Sequence, residues 1–109
     1  MKISDIAKIE GIKATGEFED REISSAYTSD LLSDVLANAK DESVLITIQA
    51  HKNTVAVAGI VGADAIIMCN SREIPDDLLV VAAEANIALF VSEKNQFETS
   101  VEIGKMLSK

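Results

Sequence analysis

The chain has 109 residues, of which 48% are apolar, 26% charged and only 4% aromatic, and its ten Lys plus Arg face eighteen Asp plus Glu for a net charge of -8. This much Ile, Val, Leu and Ala excludes a disordered chain and fits one compact domain spanning residues 1–109. The acidic balance argues against nucleic acid or an anionic membrane as partner, because both attract Lys and Arg through their own negative potential.

In chain order, the N-terminus reads MKISDIAKIE, with charges where a secretory leader needs an apolar stretch. Ile3, Ile6, Ala7 and Ile9 are spaced as a short amphipathic helix, and Ile12 to Phe18 reads as a strand or loop around Gly16. Glu22 to Tyr27 follows as a short strand. Leu31, Leu32, Val35 and Leu36 then form one stripe of a helix that Thr28, Ser29 or Asp30 can cap. Three apolar runs come next, Val44 to Ile48, Ala65 to Met68 and Ile87 to Val91. Because none of them alternates with polar residues, each reads as a strand covered on both faces of a parallel sheet.

The segments between these strands are helical. Asn53 can cap a helix through Val55, Ala58 and Ile60 that Gly62 ends. Pro75 suits a first helical position ahead of Asp76 and Asp77, with Leu78, Leu79, Ala82 and Ala83 as the apolar face. Asn95 and Glu98 form a capping box for a last helix carrying Val101, Ile103 and Leu107. The fold class is therefore α/β, a mostly parallel sheet of consecutive strand–helix units with helices packed on it.

In such sheets ligands lie beyond the carboxyl ends of the strands. That edge gathers the candidate ligand-binding residues Thr28, Ser29, Asp30, Ser33, His51, Lys52, Asn53, Thr54 and Arg72. His51, the only histidine, fits either a ligand hydrogen bond or a side chain that fixes its own turn. Asn53 reads as an N-cap or as part of an anion site at a helix start. In the stretch Tyr27 to Asp34, either one of Thr28, Ser29 and Asp30 caps while the others are solvated, or Asp30 and Ser33 bind a ligand hydroxyl or brace the His51 loop. Arg72 reads as one half of a surface ion pair with Glu73 or an Asp, or as a phosphate contact, and the remaining Asp and Glu read as solvated faces.

No catalytic residue, metal site or cofactor is expected. There is no GxxxxGK[ST] loop, and Gly59 and Gly62 precede a strand where a dinucleotide fingerprint would follow one. A zinc site would have only His51 and Cys69 to draw on. The single Cys69 makes no internal disulfide, which with the charged N-terminus leads us to expect a cytoplasmic protein.

The segments YTSDLLSDVLANAK, QAHKNTVAVAGIVGADAIIM and PDDLLVVAAEANIALFVS together resemble the DRTGG domain family, in particular its small stand-alone members. The resemblance runs from about Ile3 to Leu107, and its most specific pieces are Ser29 to Ser33 and His51 with Asn53. DRTGG domains are similar to the N-terminal domain of HPr kinase/phosphorylase, and they occur in phosphotransacetylase-like proteins and beside CBS domains in regulatory pyrophosphatases. The resemblance implies a non-catalytic regulatory or assembly module, a self-associating homodimer that works with a partner enzyme, and the polar residues gathered at the strand ends add the expectation of a small polar or anionic metabolite as ligand. Its alternatives are a purely structural interaction subunit of a kinase or metabolic enzyme and, behind that, a small enzyme using His51. Where other members carry Asp-Arg, this chain has His51-Lys52, and where they carry Thr-Gly-Gly it has Cys69-Asn70-Ser71. Without the two glycines the close backbone approach of a phosphate cradle is absent, so the resemblance does not carry a nucleotide site over.

Overall fold

The sheet runs in the order β1-β5-β4-β3-β2, from Ile12–Ala14 (β1) at one edge to Ser25–Thr28 (β2) at the other. Between them lie Ser43–Thr47 (β3), Ala63–Met68 (β4) and Ala88–Ser92 (β5) in the computed structural model, which describes residues 1–109. Strands β2, β3, β4 and β5 are parallel in consecutive register, and β1 runs antiparallel to β5. The Ser25–Thr28 strand thus joins the sheet as an edge, starting later than the Glu22 to Tyr27 expected for it.

Both faces of the sheet are covered, which is why its central strands are apolar throughout. On β3, Val44 and Ile46 enter one core while Leu45 enters the other; on β4, Ala65 and Ile67 alternate in the same way with Ile66 and Met68. One face packs Ile3 and Ile6 of helix Ile3–Ile6 (α1), Ile23, and Ile103 of helix Gln96–Leu107 (α5) against Phe90, whose ring lies 5.5 Å from that of Phe18. The other face takes Val35 of Leu32–Asn38 (α2), Val55 and Ala58 of Lys52–Val61 (α3), and Leu78 and Ala82 of Asp76–Glu84 (α4). Three consecutive parallel crossovers of one hand place α2, α3 and α4 on the same side, and α5 crosses to the other.

Several local expectations change. His51, not Asn53, caps α3: its Nδ1 accepts the Asn53 amide at 3.1 Å. Helix α2 starts at Leu31 with no side-chain cap, so none of Thr28, Ser29 and Asp30 serves as one; Ser29 Oγ instead accepts the Leu31 amide at 3.2 Å. Pro75 is itself the N-cap of α4, one position before the helix. Gly62 ends α3 at φ 79°, and a β-carbon there would stand 2.9 Å from that of Asp41. The Asn95–Glu98 capping box opens α5 as expected.

Four large residues assigned to apolar helix faces are exposed instead, Leu31, Leu36, Val101 and Ile60, the last at 72%, as are the small Ala7 and Ala83. The stripes of these helices are narrower than their apolar residues suggest, because each helix meets only one sheet and not a surrounding bundle. No helix is long and apolar enough to cross a membrane.

Candidate functional site

At the carboxyl edge of the sheet, a cavity of about 360 Å³ is lined by Asp30, Ile48, Gln49, Ala50, His51 and Arg72. Three loops build it, those leaving β2, β3 and β4, so the parallel topology brings together residues 42 positions apart in the chain.

Asp30 is its organiser. Its Oδ1 accepts the Thr47 hydroxyl at 2.8 Å, the Ile48 amide at 2.9 Å and the Gln96 side-chain amide at 3.0 Å, while its carbonyl accepts from Gln49 Nε2 at 3.0 Å. These bonds tie the β2–α2 junction to the end of β3 and to the first turn of α5. All three donors converge on Oδ1, and no hydrogen bond goes to Oδ2. Thr47 is buried, so its hydroxyl has no solvent alternative to this carboxylate.

His51 lines the same cavity from the end of the loop leaving β3. Because Nδ1 accepts a backbone N–H, the ring proton of the neutral imidazole sits on Nε2, which is free to donate. The helix behind it contributes less than an uncapped one would. The Asn53 amide is taken by His51 Nδ1 and the Thr54 amide by the His51 carbonyl at 2.9 Å. Anion binding at the start of α3, one of the two readings for Asn53, is therefore largely pre-empted from within.

Arg72 forms no ion pair, which corrects the expected pairing with Glu73 or an Asp. Its backbone amide donates to the Cys69 carbonyl at 3.2 Å, and the residue, exposed to solvent, forms part of the cavity lining. The loop carrying it is held from behind: the Asn70 amide donates to the Lys94 carbonyl at 2.9 Å and the Ser71 amide to that of Ser92 at 2.8 Å. Asn70 and Ser71 both have left-handed backbone, at φ 61° and 51°.

The other candidates are elsewhere. The Thr28 hydroxyl pairs with Ser100 Oγ on α5 at 2.7 Å, Ser33 is exposed in the first turn of α2, and the buried Thr54 hydroxyl donates to the Gln49 carbonyl at 2.8 Å. Lys52 and Asn53 face a larger, mostly apolar groove of about 550 Å³ between α3 and α4, with Val55, Ala56 and Val81 in its walls. Of nine candidates, Asp30, His51 and Arg72 share one cavity and the remaining six do not.

Two residues outside that set complete it. Gln49 lies two residues past the end of β3, lines the cavity and donates to the Asp30 carbonyl. Gln96 lies one position past Asn95, and only α5 folding back over the sheet brings it to Asp30. Cys69, by contrast, is inert packing. Burial pushes its thiol up, partly offset by the Thr99 hydroxyl at 3.5 Å. No cluster of three or more His, Cys, Asp or Glu is placed to hold a metal ion.

No family model and no curated protein matches this chain. Among solved structures, it is similar to the CBS and DRTGG domains of the regulatory region of a Clostridium perfringens pyrophosphatase, complexed with its activator diadenosine tetraphosphate. The TM-score is 0.70 at 10% identity, over 91% of this chain and 44% of that one. The similarity supports the DRTGG-like fold. Within it, the two positions that the sequence resemblance sets opposite Gly-Gly are Asn70 and Ser71, the pair with left-handed backbone. The glycine-favoring conformation is thus present here without the glycines. Their side chains still bar the close backbone approach that glycine allows.

Proposed function

We propose that this domain is a non-catalytic regulatory module that holds a small anionic metabolite in the cavity bounded by Asp30, His51 and Arg72. The observation that carries this reading is Arg72, a guanidinium with no carboxylate partner at the wall of a cavity, in a chain where carboxylates outnumber cations eighteen to ten. An arginine offers five donors in a planar fork suited to phosphate or carboxylate. The donating Nε2 of His51 adds a sixth from the facing loop.

The rest of the cavity argues for binding over catalysis. Asp30 Oδ1 is saturated by structural donors, the one hydroxyl among them being that of the fully buried Thr47, and His51 Nδ1 is occupied as a cap. The regulatory setting of the structurally similar pyrophosphatase region supports the same class of role. A thermal-shift screen of inorganic phosphate, sugar phosphates, acyl phosphates and nucleotides tests the reading. A ligand at one hundred times its Kd should stabilise by about 2.7 kcal/mol, and Arg72→Ala should abolish the shift. Stabilisation by none of these compounds overturns it.

A second reading, an interaction subunit that forms a homodimer or docks on an enzyme, is favoured by Phe97, 77% exposed in the first turn of α5. Val101, one turn on, and Leu31 are also exposed. Sedimentation velocity at increasing concentration tests self-association, and a monomer throughout removes the homodimer.

A further inference from the structure

Resting on the anion-binding reading, we infer that the ligand of the Asp30–His51–Arg72 cavity is a polyol monophosphate, a sugar phosphate in the simplest case, and not a nucleotide. The charge arrangement is the first ground. One wall carries a cation without a partner, Arg72, and another carries a carboxylate whose Oδ1 is fully engaged and whose Oδ2 accepts nothing within the protein. A simple anion satisfies the first wall and is repelled by the second. A molecule with a phosphate at one end and a hydroxyl at the other satisfies both: the phosphate accepts from Arg72 and from His51 Nε2, and the hydroxyl donates to Asp30 Oδ2.

The lining is the second ground. Beside Asp30, His51 and Arg72 it offers Gln49 with the small apolar surfaces of Ile48 and Ala50, and no Phe, Tyr or Trp. The aromatic residues are committed elsewhere: Phe18 and Phe90 to the core, Tyr27 to Asp34, and Phe97 to the solvent side of α5. A nucleobase would therefore find no Phe, Tyr or Trp to stack on, and the two groups able to stack in their place, the His51 ring and the Arg72 guanidinium, are the ones this arrangement gives to the phosphate. At about 360 Å³ the cavity is near the lower end of small-molecule sites, sized for one ring and its substituents. The third ground is the net charge of -8, which penalises each additional negative charge on a ligand and so disfavours polyphosphates.

The experiment is a set of calorimetric titrations of the intact protein with inorganic phosphate, n-butyl phosphate, ribose 5-phosphate and AMP. Ribose 5-phosphate should bind at least tenfold more tightly than n-butyl phosphate, which has the anion without the hydroxyls, and AMP should bind no more tightly than ribose 5-phosphate. Asp30→Asn can keep the three donors on its remaining oxygen and presents an N–H in place of Oδ2. It should reduce ribose 5-phosphate to the level of n-butyl phosphate in the same variant, while inorganic phosphate, no longer repelled by the carboxylate, binds at least as tightly as to the native protein. If Asp30→Asn does not fold, the comparison of ribose 5-phosphate with n-butyl phosphate on the native protein decides alone. Equal binding of those two, or a tenfold preference for AMP, overturns the polyol assignment while leaving an anion site in place. Binding of none of the four overturns this inference together with the reading beneath it.

Discussion

The chain has two arginines, one at each end of the sheet, and they are used in opposite ways. At the amino edge Arg21 donates from Nη1 to Asp64 at 3.0 Å and from Nη2 to the Asn86 carbonyl, and the Asn86 side chain in turn donates to Glu19 at 2.7 Å. Nearby, Ser4 gives both its amide and its hydroxyl to Asp20, at 2.9 and 2.7 Å. These acidic residues, expected to be solvated faces, instead staple the irregular N-terminal segment across the bottom of the sheet. At the carboxyl edge Arg72 has no such partner and Asp30 keeps one oxygen free. Apart from Arg21 Nε and the hydroxyls of Ser25 and Ser43, which are buried without a partner, the charged groups of the amino end are consumed by one another, whereas the carboxyl end keeps a cation and a carboxylate oxygen to spare.

The largest expected effect tests where this division is blurred, at Asp30, which serves both purposes. Asp30→Ala orphans Thr47 Oγ1, the Ile48 amide and Gln96 Nε2, and should cost about 3 kcal/mol in urea denaturation. A cost below about 1 kcal/mol would show that these bonds are replaced by water and that Asp30 does not organise the edge.

The two arginines provide the direct contrast. Arg21→Ala should cost about 2 kcal/mol, because Asp64, only 19% exposed, loses its counter-charge and the Asn86 carbonyl loses a donor. Arg72→Ala should change stability by less than about 0.5 kcal/mol. Equal costs at the two sites would erase the distinction between the ends.

At His51, the cap and the ligand contact can be separated. His51→Ala should cost about 1 kcal/mol through loss of the α3 cap, whereas His51→Asn should recover most of that stability and still lose the ring donor. An alanine variant as stable as the native protein would mean that the cap bond contributes nothing. A smaller effect is expected at the loop carrying Arg72, where Ser71→Gly should relieve a left-handed non-glycine residue and raise the melting free energy by up to about 0.5 kcal/mol, after the entropy that glycine adds to the unfolded chain. Destabilisation there would indicate that the serine side chain is needed.

The smallest effect concerns acid. The Tyr27 hydroxyl donates to Asp34 at 2.8 Å and, ahead of Ser29 and Asn38, holds that carboxyl below the usual aspartate range. A carboxyl lowered in the folded state stabilises it above the ordinary carboxylate value, and this is lost as pH falls below about 4 toward the lowered one. Tyr27→Phe should shift the Asp34 titration, followed by carboxyl-carbon NMR, upward toward the ordinary value. An unshifted titration would exclude this bond as the cause.

The reach of sequence reading differs between these features for physical reasons. The apolar runs at β3, β4 and β5, the glycine stop at Gly62 and the Asn95–Glu98 box were legible because each is decided by residues within a few positions of one another. The cap of α3 was misassigned because asparagine is the stronger intrinsic capper, and only the loop path from β3 brought His51 to the capping position. Arg72 was expected in a pair because Glu73 adjoins it in sequence, although neighbouring side chains at a turn project in different directions.

By itself, then, the sequence determined the α/β class, the order of strands and helices and the edge at which polar residues collect, since periodicity and turn chemistry are local. The tertiary structure alone decided which of those polar residues meet. Asp30, His51 and Arg72 converge because three parallel strands end side by side. Gln96 reaches Asp30 because α5 crosses to the opposite face, and Lys52, Asn53 and Thr54 are turned away because within the first helical turn after His51 the side chains already face α4 or the core.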